Sequence, residues 1–506
     1  MDFFERMGER SPFISSVIKF QSGYVYPFVF AALCAVSASF GKSIYIPCII
    51  VLCLLTAFAG LFSKDLKVFI APAFMIYYSI GSDKPSDFYE NYYTKDYHET
   101  LWTNRPTPPF ERTSLYFFIA WLCILAAILI YKMIHSGVLK KMLSERGIFF
   151  CSIIALDIAL ILNGVFGGSW RIESALYGLL AAFVLTVCYC MFYVIIKNTN
   201  NGATYTCVAL VAMAFCVLLQ VIITAARLQQ FDILIVNHKT AFDRVNRSLF
   251  ATAWGLVTIV AAVIACGIPA ALYLTRNKKF PVLCYFTALV FFAATVFVNT
   301  RSSMLFGSLA LIVGIICSLS GKNKRKNIAM TLIILLLIAA ILITLFTALP
   351  EYRDKLIKEV KVALRLNYKI DENFLPKLLG SRYNLWAGGI KDFLRAPVFG
   401  VGFVSGDFEL NRVYDHMYHN IVIEFMGAMG IVGILAFLFH IFQILRHAFC
   451  KFSANKLLLF CVPLSILGMS LLDNFFFYPN FNIIYGAALA CAELCGEDAK
   501  EQLPSA

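Results

Sequence analysis

Apolar runs close to the roughly 20 residues that a helix needs to cross a bilayer recur from one end of this chain to the other. They fall at about 24–41, 43–62, 66–81, 114–134, 147–168, 174–196, 204–225, 249–274, 280–298, 303–320, 328–349, 419–445, 457–472 and 481–495. In hydrocarbon, each backbone polar group must be satisfied within its own segment, so runs of this length read as helices. The charged share is 14%, against the roughly 25% usual for a soluble domain. The expected fold class is therefore all-α: a polytopic membrane protein of about 12–14 transmembrane helices. A single domain is expected over residues 1–506, with a large loop at 350–418 inserted between late helices.

The net charge of +13 would resemble a nucleic-acid footprint if its location were ignored. Placed along the chain, the basic residues form short clusters between apolar runs, such as KNKRK at 322–326. That is the pattern that orients membrane helices. It points to membrane lipids rather than nucleic acid, with both termini cytoplasmic and 350–418 on the outer side. The N-terminal MDFFERMGERSPF carries both signs of charge and lacks the short apolar run of a removable signal peptide. Cys48, Cys53, Cys188, Cys190, Cys266 and Cys491 lie inside apolar runs without metal-type clustering, as small hydrophobic residues would.

Three outer loops are long enough to take part in function. The segment 82–113 is rich in Tyr, Asp and Pro and reads first as an interfacial aromatic belt, second as a sugar-stacking surface. The segment 226–248 carries Arg227, His238, Lys239, Arg244 and Arg247 beside a span. In 350–418, Leu356, Ile357, Val360 and Leu364 make one helical stripe that suits a helix lying on the outer leaflet. A second helix follows, with Ser381 as its N-cap and Leu385, Trp386, Gly389, Ile390, Phe393 and Leu394 as its apolar face. Pro397 ends it, and Gly400 and Gly402 supply a tight turn before the chain re-enters the membrane near His419.

His416 and His419 are three apart and would share a face if the next helix begins around Asp415. Imidazole is the side chain suited to taking a proton near neutral pH, and Asp415 or Asn420 would orient it. Arg301 and Arg382 open helices on the outer side by this topology, and a guanidinium fork matches a diphosphate bidentately. Arg244 and Arg247 are further candidates of that kind. The alternative is that these arginines snorkel to lipid headgroups. Asp157 lies well inside a span with Asn163 nearby, as either an ion or proton site or a paired structural group. Asp473 reads as a cap or anchor near the outer surface. There is no phosphate-binding glycine loop, no GxSxG and no metal-ligand spacing, so neither a metal nor another cofactor is expected.

Together these residues resemble the C-terminal signature of the O-antigen ligase/O-antigen polymerase family of bacterial membrane glycosyltransferases. The matching pieces are Arg301 in NTRSSML, Arg382 and Trp386 in SRYNLWAGGI, Pro397-x-x-Gly400-x-Gly402, His419-Asn420 and Gly427-x-x-Gly430-x-x-Gly433. The resemblance covers about 301–435; the N-terminal half matches only as a multi-span scaffold. It implies a fold of the membrane glycosyltransferase C type and an inverting, metal-independent transfer of an undecaprenyl-diphosphate-linked glycan. The acceptor would be a glycan or lipid hydroxyl at the outer face of the bacterial cytoplasmic membrane, as in lipopolysaccharide or other envelope polysaccharide synthesis. His419 corresponds to the family's base, and Arg301 and Arg382 to the arginines that hold the diphosphate. His416, Asn420, Trp386, Arg244 and Arg247 are expected around the substrate. The segment AFDRVNRSLFATAWG departs from the family's glycine- and asparagine-rich pattern, which leaves the roles of Arg244 and Arg247 open. The competing reading is a flippase for lipid-linked oligosaccharides, which would use Asp157 but has no need of a long ordered outer loop.

Overall fold

Where the chain is described, the apolar runs become helices almost one for one. The computed structural model describes residues 10–40, 42–79, 112–167, 172–227, 257–277, 281–298, 300–318, 381–402, 418–450 and 452–495, together with Phe4 and Met7. Most of the expected outer loops 82–113 and 226–248, the expected span at 328–349 and the stripe at 356–364 lie outside these residues. No strand occurs among the described residues, and the protein is a polytopic all-α membrane protein.

The helices are α1 Pro12–Gln21, α2 Tyr26–Ser39, α3 Lys42–Phe62 and α4 Ile70–Met75, the last flanked by the 3-10 turns Leu66–Phe69 and Ile76–Ser79. Then come α5 Arg112–His135, α6 Val138–Ser144, α7 Phe150–Phe166, α8 Ile172–Lys197, α9 Gly202–Arg227, α10 Val257–Asn277, α11 Pro281–Phe297 and α12 Arg301–Ser318. The C-terminal part holds α13 Ser381–Arg395, α14 Ile421–Phe449, α15 Ala454–Met469 and α16 Pro479–Leu494.

Among the described residues, five helices (α3, α8, α9, α10 and α14) are long and apolar enough to cross a membrane by themselves. Helices α7, α11, α12, α15 and α16 have 16–18 residues, so they reach about 24–27 Å, short of a hydrocarbon layer of about 30 Å. The expected span at 66–81 is broken into 3-10, α and 3-10 pieces. The N-terminal α1, for which no helix was expected, meets α2 at 79°. Ser11 starts it by accepting from the backbone N–H of Ile14, with Pro12 in its first turn.

The core forms where α7, α8, α9, α10, α14, α15 and α16 meet. Between membrane helices lipid supplies no hydrophobic drive, so close approach and buried polar contacts hold them together. Gly486 on α16 faces the backbone of Tyr189 on α8, where a Cβ would come to 2.9 Å from the nitrogen. Tyr189 donates its hydroxyl to Glu493 at 2.6 Å. His440 on α14 lies between Ser152 on α7 and Tyr485 on α16, at 2.9 and 2.7 Å. Asp157 is buried, and Thr186 donates to its Oδ2, so the structural alternative for this carboxylate has a partner. All sixteen cysteines are free thiols.

Candidate active site

Helix α14 begins later than its apolar pattern indicates. Asn420 is its N-cap and accepts from the N–H groups of Val422 and Ile423 at 2.9 and 3.2 Å. His419 therefore precedes α14, contrary to the expectation of a helix that begins around Asp415. His416 itself, like Arg244 and Arg247, lies outside the described residues. The reason for the later start is the Asn420 side chain: capping the first turn requires an extended backbone at that position, which stops the helix from running back through His419.

His419 adopts φ 54°, one of two non-glycine residues with positive φ among those described. This left-handed conformation costs about 1–2 kcal/mol for an ordinary side chain, and it persists only where its surroundings fix it. Here they do. Glu424, buried in the first turn of α14, accepts from the N–H of Tyr418 at 2.8 Å. Ile421 N–H donates to Ser470 at 2.7 Å, and the Asn420 amide donates to the Leu471 carbonyl at 2.9 Å.

The turn after α15 carries the partner of the histidine. His419 Nδ1 lies 2.9 Å from Asp473 Oδ1, with the His419 side chain 38% exposed and that of Asp473 10%. Of the expected orienters, Asn420 caps α14 and Asp415 lies outside the described residues; Asp473 holds the ring. A carboxylate only accepts, so a ring proton sits on Nδ1; in the neutral imidazole this tautomer leaves the lone pair on Nε2. Asp473 also accepts from the N–H of Asn474 at 2.9 Å, which fixes the carboxylate.

Arg301 is the first residue of α12 and is exposed. Ser303, two residues on, donates to the Met469 sulfur at 3.6 Å. Met469 adjoins Ser470, which receives Ile421, so Arg301 opens at the same end of the bundle as His419 and Asp473. Arg382 lies in the first turn of α13, half-buried. That helix starts at Ser381 itself, a residue earlier than a Ser381 cap implies. Of its expected apolar face, Gly389 is buried and Leu385, Trp386 and Phe393 are half-buried, while Ile390 and Leu394 are 46% and 72% exposed. The stripe is wider than the face that meets α14.

The turn after Pro397 is the second structural device. Gly400 and Gly402 have φ of 72° and 114°, as a turn built on glycine requires. It docks on a break in α14 at Gly430, φ 63°. Val401 and Gly402 donate to the carbonyls of Gly427 and Ala428 at 3.0 and 3.1 Å, while Ile431 and Val432 donate to those of Pro397 and Val398 at 2.8 and 3.3 Å. The turn thus supplies the bonds that the broken helix loses. Asn163 on α7 adds its amide to the carbonyls of Phe399, at 2.8 Å, and Ala428.

Thr300 Oγ1, Trp386 Nε1 and the Asn474 amide are buried polar groups without a hydrogen-bond partner. Such groups are costly to leave unsatisfied and mark places where a polar ligand or water fits. Among the described residues, no three His, Cys or acidic side chains converge as metal ligands would.

Comparison with known proteins bears on this same region. No curated protein matches the chain. Residues 286–438, which carry Arg301, Arg382, the glycine turn and His419, match the Wzy_C family, described as O-antigen ligase. That match supports O-antigen ligase/polymerase family membership, and with it a membrane glycosyltransferase-like enzyme acting in O-antigen assembly on lipid-linked glycan and acceptor substrates.

Proposed function

We propose that the protein transfers or polymerises a glycan from undecaprenyl diphosphate onto an acceptor hydroxyl, at the outer face of the cytoplasmic membrane, with inversion and without a metal. The observation that carries this reading is the His419–Asp473 pair, with Nδ1 held by the carboxylate at 2.9 Å. Nε2 accepts the proton of the acceptor hydroxyl as that oxygen attacks the anomeric carbon. The bond from that carbon to the diphosphate breaks, and its electron pair leaves on the diphosphate. Arg301 and Arg382 stabilise the charge that develops there, and Asp473 stabilises the imidazolium. Trp386, His416, Arg244 and Arg247 are assigned to substrate contact, and Asn420 to positioning, since its amide oxygen is committed to the first turn of α14 and its NH2 group to the Leu471 carbonyl.

The test is a proteoliposome assay containing a synthetic undecaprenyl-diphosphate oligosaccharide and EDTA, with lipid A–core as acceptor or the donor alone. Glycan transfer by the wild type, absent with His419→Asn, supports the reading, and product length separates ligation from polymerisation. Transbilayer movement of the lipid without transfer overturns it in favour of a flippase.

A further inference from the structure

The residue before the candidate base joins the two helices that carry the candidate site. Tyr418 is buried, and its hydroxyl donates to Asp392 Oδ2 on α13 at 2.7 Å. Its ring passes through the crossing of α13 and α14. A Cβ on Gly389 would stand 3.0 Å from the ring, and one on Gly427 would stand 2.9 Å from it and 2.8 Å from the Gly389 carbonyl. Both positions are helical, so it is space for this ring and for close helix contact that calls for glycine there.

We infer that the Tyr418–Asp392 hydrogen bond is a positioning device that sets the spacing between the arginine helix α13 and the His419 turn during transfer. This inference rests on the function proposed above. Tyr418 adjoins His419 in sequence, and Asp392 lies on the same helix as Arg382, ten residues on, so the bond joins the base to the helix that carries the diphosphate ligand. The Glu424 carboxyl oxygen that accepts from the Tyr418 N–H fixes the backbone end of this link, and the glycine crossing fixes the ring. The hydroxyl therefore registers α13 against the histidine. A displacement of about 1 Å between reacting groups can cost on the order of a hundredfold in rate, so such a link affects turnover more than donor affinity.

The experiment is steady-state kinetics on full-length protein in proteoliposomes, with a synthetic undecaprenyl-diphosphate oligosaccharide as donor. Tyr418→Phe keeps the ring in its glycine slot and removes only the hydroxyl. The expected result is a fall in kcat of about tenfold with donor KM within twofold of wild type, the size of effect that a lost bond to a charged partner brings. Asp392→Leu should match it, Asp392→Asn should keep most of the activity because the amide oxygen still accepts, and the Tyr418→Phe/Asp392→Leu double variant should be no slower than either single one. Wild-type kcat in Tyr418→Phe, or additive losses in the double variant, overturns the inference. If His419→Asn is inactive while Tyr418→Phe matches wild type, this inference fails and the proposed function stands. Activity of His419→Asn removes the reading on which both rest.

Discussion

His419 Nδ1 and Asp473 Oδ1 meet at 2.9 Å across 54 residues of sequence, one from the turn before α14 and the other from the turn after α15. The Asn420 amide on Leu471 and Ile421 on Ser470 bind the same two turns together, so the pair is held on both sides. Asp473→Asn keeps the size of the group but removes the charge that fixes the ring proton on Nδ1. Transfer should fall at least tenfold, with the protein folded and inserted as before; rates in proteoliposomes alongside melting in detergent check this. A template in which such an aspartate orients a catalytic histidine loses about ten-thousandfold on the same change.

The left-handed backbone at His419 decides how its role is best tested. His419→Asn removes the base but tolerates positive φ, so activity should drop by about a hundredfold or more while the melting temperature stays near wild type. His419→Ala should lose activity too, and also about 1 kcal/mol of stability from the strained backbone. Comparing melting curves of the two variants separates chemistry from folding.

Much of this architecture was legible in the chain, and the omissions have physical reasons. Apolar runs marked the helices because hydrocarbon leaves the backbone few alternatives. Pro397, Gly400 and Gly402 marked the turn because their backbone preferences are local. The start of α14 was misplaced because two histidines three apart imitate a helical face, and only the Asn420 cap reveals that the helix begins after them. Asp473 read as an anchor because its partner lies 54 residues away, a distance that no spacing rule spans. Asn163 was noticed only as a neighbour of Asp157. Its bonds to Phe399 and Ala428 depend on a break in α14 that the evenly apolar segment around Gly430 conceals.

Arg382→Lys should raise donor KM about tenfold, because a single ammonium cannot reproduce the two parallel donors that a guanidinium offers a diphosphate. Arg301→Lys should behave alike if both grip the leaving group. Titrating the lipid donor at fixed acceptor reads both parts of the role: a raised KM reports the grip on the bound diphosphate and a lowered kcat the charge that develops as it leaves, and wild-type values of both would remove the arginines from the site.

The docked glycine turn gives a prediction about stability rather than chemistry. At Gly400 an added Cβ would lie 2.1 Å from the Ala428 carbonyl oxygen at φ 72°, and at Gly430 it would lie 2.5 Å from that of Val398 at φ 63°. In both places the obstruction is backbone, which cannot turn aside as a side chain can. Alanine at either position must therefore displace the turn from the break and expose the carbonyls and N–H groups that they satisfy for each other. Asn163→Leu attacks the same junction from α7 by removing the donor to Phe399 and Ala428. Unsatisfied buried groups cost about 1–3 kcal/mol each, so Gly400→Ala and Gly430→Ala should melt lowest in detergent and Asn163→Leu between them and wild type. Because Asn163 and Gly400 act on one junction, the combined variant should lose less than the sum of its parts. Strictly additive losses would mean that the helix break and the turn are stabilised independently.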